Sequence, residues 1–270
     1  MQDFSGIRAL IIDMDGVLWH GDRPQDGLVE FFQVLRESRF RFVLATNNAS
    51  LTPEQYVLKL AAMGVDVAIG EILTSSMATA SYLLKNYKPA ETKIFVIGEG
   101  GARQPLLEAG FQLIDLYELG ADLVVCGLDR HLSWDKLATA SFNLQAGAVL
   151  VATNGDTSLP TELGFAPGNG ATLAALKAAS GVEAIVIGKP EPIIYQQAMA
   201  ILNVDPAETI AIGDRLDTDI LGAVKTGIRS AMVLTGISGL EDIQALDYQP
   251  TWVFPALSDI TEALRGLPIA

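Results

Sequence analysis

The segment RALIIDMDGVLWHGD, residues 8–22, joins an apolar strand to two aspartates and decides how the chain is interpreted. Its first part, RALIID, is a continuous apolar run, which is typical of a strand covered by helices on both faces of its sheet. This strand delivers Asp13 and Asp15 at its carboxyl end, where open α/β sheets bind their ligands. Side chains two positions apart share one face of an extended segment, so we expect both carboxylates on the same side. Taken alone, the segment fits a solvated strand end with an ordinary Asp-Gly turn equally well.

Apolar runs of strand length alternate with helix-period segments along the sequence. The predicted strands are 8–13, 40–46, 93–98, 121–127, 148–153, 183–188, 208–214 and 229–235, with weaker candidates at 71–75 and 251–254. The predicted helices are 26–37, 53–63, 76–86, 102–109, 134–146, 170–180, 191–202, 217–226 and 258–265. This alternation predicts an α/β fold built on a doubly wound parallel sheet.

The composition is that of a globular protein, since half of the 270 residues are hydrophobic and 19% are charged. A net charge of −14 argues against a nucleic-acid partner or a membrane surface, because both usually need a basic face. The one cysteine, Cys126, excludes an intramolecular disulfide and ends an apolar run, which favours a buried inert thiol. No signal peptide or membrane span is recognisable, so we expect a soluble, cytoplasmic protein.

A second predicted strand ends in Thr46 and Asn47. In a doubly wound sheet this strand is expected beside the first, which would bring Thr46 close to Asp13. A hydroxyl and a strand-end N–H suit a phosphate oxygen, although an Asx turn explains the same residues. The letters Ala-Thr-Asn recur at 152–154, and the local sequence does not say which copy contacts a substrate.

Two further strand ends carry charged side chains. IGKPEP (187–192) places Lys189 before a proline that can open a helix, and IAIGDRLDTDI (210–220) places Asp214 at a strand end. A surface lysine and a helix N-cap would explain each motif alone. However, Asp217 and Asp219 follow Asp214, and three carboxylates within six residues exceed what one cap needs.

Together these strand ends predict a cation site. Two carboxylates about 4 Å apart repel each other by roughly 4 kcal/mol at an effective dielectric constant of about 20. A pocket that holds Asp13, Asp15 and Asp214 therefore needs a cation. Ligands that are all oxygen favour Mg²⁺. Neither His20 nor His131 has a His or Cys partner at metal-ligand spacing, which argues against zinc.

The motifs DMDGV, TNN, GKPEP and GDRLDTDI, in this order, resemble the four signature motifs of the haloacid dehalogenase (HAD) superfamily of phosphotransferases. The segments GLDRHLSWDKLATA, ATNGDTSLP and PGNGA also resemble its subfamily IIA, which includes NagD and p-nitrophenyl phosphatases and carries a large cap between the second and third motifs. The resemblance covers nearly the whole chain. It implies an HAD-like catalytic core at residues 1–80 and 182–270 with an inserted α/β cap domain at 81–181.

The resemblance also implies a mechanism. Asp13 would be the nucleophile that forms an aspartyl-phosphate, and Asp15 would be the general acid and base. A carboxylate two residues after the nucleophile favours phosphoryl transfer over dehalogenation, because dehalogenation does not need that acid. Lys189 would offset the charge of Asp13 and of the phosphoryl group.

The remaining assignments divide binding between substrate and metal. Thr46 and Asn47 would hold phosphoryl oxygens, and His131 corresponds to a cap loop that meets substrate in some relatives. The second Ala-Thr-Asn copy falls within the cap and receives no catalytic part. The groups assigned to Mg²⁺ are oxygens at the core strand ends: Asp13, the backbone carbonyl of Asp15, and Asp214, with Asp219 supporting them.

These expectations describe a Mg²⁺-dependent phosphatase that hydrolyses small phosphomonoesters of the sugar phosphate, nucleotide, phosphoglycolate or p-nitrophenyl phosphate type. A phosphotransferase or phosphomutase of the same fold and a non-catalytic metabolite-binding regulator stay open as alternatives. GEGGAR (98–103) mimics a dinucleotide-binding fingerprint, but its third glycine is missing, so a tight strand–helix turn is favoured. The expected partner is a small-molecule phosphomonoester. Relatives often associate through the cap, so the resemblance leaves the oligomeric state open and a homodimer through the cap as one alternative.

Overall fold

The computed structural model describes residues 4–161 and 163–265. The outermost residues of the predicted core segments, 1–3 and 266–270, and residue 162 of the predicted cap lie outside the described residues. The elements in chain order are β1 (Ala9–Ile12), β2 (Trp19–His20), β3 (Arg23–Pro24), α1 (Leu28–Glu37), β4 (Arg41–Thr46), α2 (Pro53–Ala62), β5 (Ile72–Thr74), α3 (Ser75–Asn86), β6 (Lys93–Ile97), α4 (Gly100–Glu108), β7 (Gln112–Leu113), β8 (Leu123–Cys126), α5 (Trp134–Gln145), β9 (Val149–Ala152), β10 (Ser158–Thr161), β11 (Gly164–Pro167), α6 (Asn169–Ser180), β12 (Ile185–Val186), α7 (Pro192–Leu202), β13 (Thr209–Gly213), α8 (Leu221–Thr226), β14 (Arg229–Val233), α9 (Leu240–Gln244), β15 (Trp252–Phe254) and α10 (Leu257–Arg265).

The chain forms two compact units. The first unit consists of Met1–Thr46, Pro53–Leu73 and Lys189–Ala270, and the second consists of Asn47–Thr52 and Thr74–Gly188. The predicted functional domains, with a cap at 81–181, stay a prediction. No helix within the described ranges combines the length and the apolar character that crossing a membrane requires.

The first unit is built on a six-stranded sheet in the order β15-β14-β13-β1-β4-β5. Strand β1 is fully buried and pairs in parallel with both neighbours, so that Ile12 lies opposite Ile212 on one side and Leu44 on the other. Because parallel strands end at the same edge, the residues that follow β1, β4 and β13 gather there. The predicted α/β fold with a parallel sheet is therefore confirmed.

The second unit has a five-stranded sheet in the order β12-β9-β8-β6-β7, and its strands pair in parallel. Side chains of β6, β8 and β9 form its core with Leu144 of α5 and Leu176 of α6. An antiparallel hairpin, β10–β11, precedes α6. The apolar runs at 93–98, 121–127 and 148–153 produce these strands because both faces of the sheet are covered.

Some elements carry too weak a pattern to be predicted. Strands β2, β3 and β7 have two residues each, which is too short for any periodicity. The hairpin β10–β11 includes two prolines, Pro160 and Pro167, which argue against a strand. The predicted helix at 217–226 begins as a π-helical turn, Leu216–Ile220, before it continues as α8.

The glycine-rich segment GEGGAR proves to be a strand–helix turn. Strand β6 ends at Ile97 and helix α4 begins at Gly100, so only two residues connect them. A Cβ atom on Gly101 would overlap the carbonyl oxygen of Ala49 and lie 2.9 Å from that of Leu51. A close approach of two backbone segments within the second unit therefore explains this glycine, without a dinucleotide.

Candidate active site

Asp13 and Asp15 follow β1 but lie in different environments. The backbone N–H of Asp13 continues the sheet by donating to the carbonyl of Ile212 at 2.8 Å, and the Asp13 side chain is buried. The chain then turns at Gly16, whose φ of 86° favours glycine. Asp15 is exposed, and its Oδ1 accepts a hydrogen bond of 2.8 Å from the indole N–H of Trp19. One carboxylate is thus fixed in the interior and the other faces solvent.

Lys189 joins two of the predicted carboxylates. Its ammonium group donates to Asp13 Oδ1 and, at 2.7 Å, to Asp219 Oδ1, and all three side chains are buried. Burial alone would lower the pKa of Lys189, but the Asp13 and Asp219 carboxylates outweigh it and raise the pKa well above its ordinary value. Lys189 is therefore a permanent positive charge between Asp13, which lies 176 positions before it in the sequence, and Asp219, which lies 30 positions after it.

Asp214 emerges from the end of β13 and is only 1% exposed. Its Oδ2 accepts a hydrogen bond of 2.9 Å from the backbone N–H of Ile237, whereas its Oδ1 is buried and has no hydrogen-bond partner among the described residues. Burial and the nearby Asp219 carboxylate raise the pKa of Asp214 to about 6. A buried carboxylate oxygen without a hydrogen-bond donor is rare, because it destabilises the folded state. A bound cation would satisfy this oxygen.

Two glycines make room for this carboxylate. A Cβ atom on Gly236 would overlap the Asp214 side chain, and one on Gly16 would lie 2.5 Å from Asp214 Oδ2. The backbone therefore approaches the carboxylate as closely as only glycine allows. The backbone of Gly16 is also fixed by Thr235, whose hydroxyl donates a hydrogen bond of 2.8 Å to the Gly16 carbonyl.

The acidic residues form one cluster. Asp13, Asp214 and Asp219 each offer a carboxylate oxygen, and these three atoms lie within 4.8 Å of one another. Burial raises the pKa of Asp13 well above its ordinary value, and Asp219 and Asp214 add to this effect while Lys189 opposes it. Three carboxylates face one ammonium group, so the cluster has an excess of negative charge. Its donors are all oxygen, which fits a hard divalent cation.

Asp219 is the best supported of the three carboxylates. Its Oδ1 accepts from Lys189, its Oδ2 accepts from the backbone N–H of Arg215 at 3.2 Å, and its backbone carbonyl accepts from the buried hydroxyl of Tyr195 at 3.0 Å. A Cβ atom on Gly213 would overlap this side chain. These contacts hold Asp219 in place beside Lys189, and its supporting role at a metal site stays a prediction.

Thr46 and Asn47 fall into different units. Thr46 ends β4, the strand directly beside β1, and its buried side chain hydrogen-bonds to Tyr56. Asn47 begins a segment of the second unit, and its side-chain amide donates to both carboxylate oxygens of Asp156 at 3.3 Å. The assignment of both residues to phosphoryl oxygens stays a prediction.

The asparagines of the two Ala-Thr-Asn copies, Asn47 and Asn154, meet within the second unit. The buried side chain of Asn154 donates to the backbone carbonyl of Asn47 at 2.8 Å, and the hydroxyl of Ser75 donates to the same oxygen at 2.9 Å. The carbonyl of Asn154 in turn accepts a hydrogen bond of 2.7 Å from Asn169. The second copy therefore holds the backbone of the first, a role that no local pattern signals.

His131 lies on an exposed loop of the second unit, before α5. Its backbone N–H donates to Asp129 Oδ1 at 2.9 Å, and its carbonyl accepts from Lys136 at 3.0 Å. The adjacent Arg130 pairs with Glu99 and, through hydrogen bonding, lowers the pKa of that carboxyl to about 2. The imidazole is thus presented on a well-anchored loop, and its contact with substrate stays a prediction.

Three aromatic residues contact the predicted site residues but were not themselves predicted from the sequence. Trp19 binds the Asp15 carboxylate, Tyr56 binds Thr46, and Tyr195 binds the backbone of Asp219. Burial raises the pKa of Tyr56 and of Tyr195 above the ordinary value, so both phenols stay protonated and act as neutral polar groups. Aromatic residues in α/β sequences usually indicate core packing, so Tyr56 and Tyr195 had no sequence pattern that pointed to the site. Trp19 had one, because it lies only four residues after Asp15.

Replacing Lys189 by methionine should lower the free energy of unfolding by about 3–5 kcal/mol, because the change leaves Asp13 and Asp219 buried without their counter-charge. Urea unfolding in the presence of a chelator measures this loss. Lys225→Met is the matched control: its ion pair with Glu191 is solvent-accessible, and we expect a loss of about 0–1 kcal/mol. Equal losses in the two variants would contradict the buried charge arrangement.

Comparison with known proteins identifies the family of this chain. The family model for haloacid dehalogenase-like hydrolases matches residues 10–112, and a second model, described as HAD-hydrolase-like, matches residues 186–260. An acid sugar phosphatase of Staphylococcus aureus is 38% identical over 260 residues, which cover 96% of this chain and 98% of that protein.

Two solved structures are similar over the same extent. A 4-nitrophenylphosphatase from Thermotoga maritima has a TM-score of 0.90 and 34% identity, covering 97% of this chain and 98% of its own. NagD from E. coli K-12 has a TM-score of 0.86 and 33% identity, covering 98% of this chain and 99% of its own. Similarity of this extent includes both units of the chain.

Proposed function

Since the chain belongs to the haloacid dehalogenase-like hydrolases, in the branch of NagD and the p-nitrophenylphosphatases, and is a phosphatase, we propose that it hydrolyses small phosphomonoesters with Mg²⁺ through an aspartyl-phosphate on Asp13. One observation carries this proposal. Lys189 bridges the buried Asp13 and Asp219 carboxylates, and Asp214 completes an acidic cluster beside them. This is an arrangement for handling a phosphoryl group together with a cation.

Asp13 is the nucleophile in this proposal. Lys189 fixes its carboxylate through Oδ1, and we assign the attack on phosphorus to Oδ2. A bond forms between Asp13 and phosphorus while the bond to the leaving oxygen breaks, in line with the attack. The permanent charge of Lys189 balances the negative charge that collects on Asp13 and the phosphoryl oxygens.

Asp15 moves the protons. Its exposed carboxyl group gives a proton to the leaving alkoxide, which departs as an alcohol. The resulting carboxylate then takes a proton from the water that attacks the aspartyl-phosphate, so that inorganic phosphate is released and both aspartates return to their starting states. Asp13 is buried and Asp15 is exposed, and this difference supports the assignment of Asp13 as nucleophile and Asp15 as general acid and base.

The residues present fit a Mg²⁺ ion. The Oδ1 of Asp214, which has no hydrogen-bond partner within the described part of the chain, is the oxygen best suited to hold it, together with Asp13 and the backbone carbonyl of Asp15. Asp219 is engaged by Lys189 and by a backbone N–H, which suits support rather than direct binding. When bound, the ion supplies Lewis-acid stabilisation of the charge on the phosphoryl oxygens.

Sugar phosphates are the substrate class that we favour. The support is the similarity to a protein named acid sugar phosphatase over 96% of this chain. An aryl phosphate such as p-nitrophenyl phosphate is the expected laboratory substrate, because two similar solved structures are a p-nitrophenyl phosphatase from Archaeoglobus fulgidus and the 4-nitrophenylphosphatase from Thermotoga maritima. Thr46 and Asn47 are proposed to bind the phosphoryl oxygens, and His131 the leaving group.

Released phosphate across a panel of phosphomonoesters, measured with Mg²⁺ and with a chelator, tests this proposal. We expect several sugar phosphates and p-nitrophenyl phosphate to release phosphate with Mg²⁺ and none to do so with the chelator. Added alcohols should not gain the phosphoryl group. Transfer to an acceptor alcohol in place of release to water would favour a phosphotransferase, and Mg²⁺-independent turnover would contradict the proposed cofactor.

A further inference from the structure

We infer that Trp19 is a positioning residue that orients the Asp15 carboxyl group for protonation of the leaving alkoxide. The inference rests on the proposed function, in which Asp15 is the general acid. Its basis is the hydrogen bond of 2.8 Å from Trp19 Nε1 to Asp15 Oδ1, which joins a fully buried indole to an exposed carboxyl group. The donor is part of the core, and the acceptor faces the solvent in which a substrate arrives.

The indole ring is held on several sides. Tyr56 stacks near it, with 6.5 Å between ring centroids and an interplanar angle of 22°. The Lys59 ammonium group lies 4.7 Å from the ring centroid and also donates to the carbonyl of Gly21 at 2.7 Å. The Trp19 carbonyl accepts a hydrogen bond of 2.8 Å from Gly16, which ties the hairpin β2–β3 to the turn after Asp15. The N–H of Trp19 therefore points in a fixed direction.

A fixed donor matters because an exposed aspartate otherwise samples several rotamers. Oδ1 is engaged by Trp19, so the proton to be transferred resides on Oδ2, and its direction follows from the orientation of the indole. Tyr56 connects this group to phosphate binding, since it stacks on Trp19 and hydrogen-bonds to Thr46. The acid and the predicted phosphoryl-binding hydroxyl thus share one rigid support.

A purely structural role is the competing explanation, because a buried indole needs an acceptor and Asp15 provides one. The two roles differ in their dependence on the leaving group. An alkoxide needs a proton to depart, whereas p-nitrophenolate is stable without one. A structural defect would slow both substrates alike, whereas a misdirected acid would slow only the alkyl phosphate.

The test compares kcat/KM for a sugar phosphate and for p-nitrophenyl phosphate in Trp19→Phe and wild-type protein. This parameter reports the steps up to departure of the leaving group, so hydrolysis of the aspartyl-phosphate does not obscure it. We expect kcat/KM to fall about tenfold for the sugar phosphate, a part of the factor that acid catalysis supplies, and to change by less than about twofold for the aryl phosphate. Equal changes for both substrates would overturn the inference.

Two further variants separate the possible failures. Trp252→Phe makes the same change elsewhere in the first unit, where the ring stacks on Phe4 at 4.5 Å, and should leave the ratio of the two kcat/KM values unchanged. Asp15→Asn should lower this ratio at least as much as Trp19→Phe. An unchanged ratio in Asp15→Asn would overturn the proposed acid, and this inference with it. A lowered ratio there, with none in Trp19→Phe, would overturn the inference alone.

The variant Trp19→Phe also leaves space in the core, so a second replacement guards against misfolding. Substitution of Trp19 by 3-benzothienylalanine exchanges the indole N–H for sulfur and keeps the size of the ring. We expect this protein to show the same selective loss for the sugar phosphate. Wild-type kcat/KM for both substrates in a folded benzothienylalanine protein would show that the N–H has no positioning role.

Discussion

Replacing Asp13 by asparagine should reduce phosphate release by at least about 10⁴-fold and leave the fold intact. The amide is close in size to the carboxylate and keeps an oxygen that can accept from Lys189, so the buried contacts are preserved. It lacks the negative charge and the nucleophilic oxygen that attack on phosphorus requires. Phosphate release measured with the best substrate of the panel gives the size of the loss, and circular dichroism with thermal unfolding reports on the fold.

The matched control for this variant is Asp26→Asn, the same exchange at an exposed position of the first unit. We expect it to keep wild-type activity. A quench with acid during turnover should trap phosphate on the wild-type chain and on Asp26→Asn but not on Asp13→Asn. Near-wild-type turnover by Asp13→Asn, or phosphate trapped on another residue, would remove Asp13 from the role of nucleophile.

Replacing Asp214 by asparagine should raise the Mg²⁺ concentration that gives half-maximal activity by at least about 100-fold. The amide can still accept from the N–H of Ile237, but it loses the charge of the buried oxygen Oδ1. Phosphate release as a function of Mg²⁺ concentration measures the shift. Because the change relieves repulsion with Asp219, the thermal midpoint in a chelator should not fall, which separates loss of the cation from loss of the fold.

Asp217→Asn provides the control for this effect. Asp217 lies three residues along the same turn, but its side chain is 68% exposed and pairs with Arg215. We expect the Mg²⁺ dependence of this variant to match that of the wild type. Equal shifts in the two variants would mean that general negative charge, and not the position of Asp214, attracts the ion.

The strand ends explain why part of the candidate site was visible in the sequence. Asp13, Thr46 and Asp214 each follow an apolar run, and parallel pairing places the ends of these runs at one edge of the sheet. The alternation of strands and helices likewise predicted most elements to within a few residues, since buried parallel strands read as continuous apolar runs. For these residues local sequence and tertiary position are directly linked.

Other parts depend on packing between distant segments and carry no local pattern. The contact of Lys189 with Asp13 and Asp219 spans 176 and 30 positions, and a lysine after a strand is ordinarily a surface residue. The hydrogen bond of Trp19 to Asp15 needs the turn and hairpin of β2–β3, whose two-residue strands are too short to recognise. Such side-chain partners become apparent only from the folded structure.

The cluster of Asp13, Asp214 and Asp219 around Lys189 places carboxylates where their mutual repulsion disfavours folding unless a cation is present. Three carboxylates and only one ammonium group lie together at this buried edge of the sheet. The Gly236 and Gly16 backbones close in on Asp214 so tightly that no other residue type would fit without movement. We interpret this arrangement as stability given up for function, as is common at active sites.

Direct titration of Mn²⁺, a spectroscopic substitute for Mg²⁺, into metal-free protein tests the cluster most directly. Electron paramagnetic resonance of the unbound ion should reveal one tight site in the wild type and in Asp217→Asn. Asp214→Asn should bind at least about 100-fold more weakly. Absence of a site in the wild type, or equal affinity of Asp214→Asn, would contradict the claim that these buried aspartates hold a divalent cation.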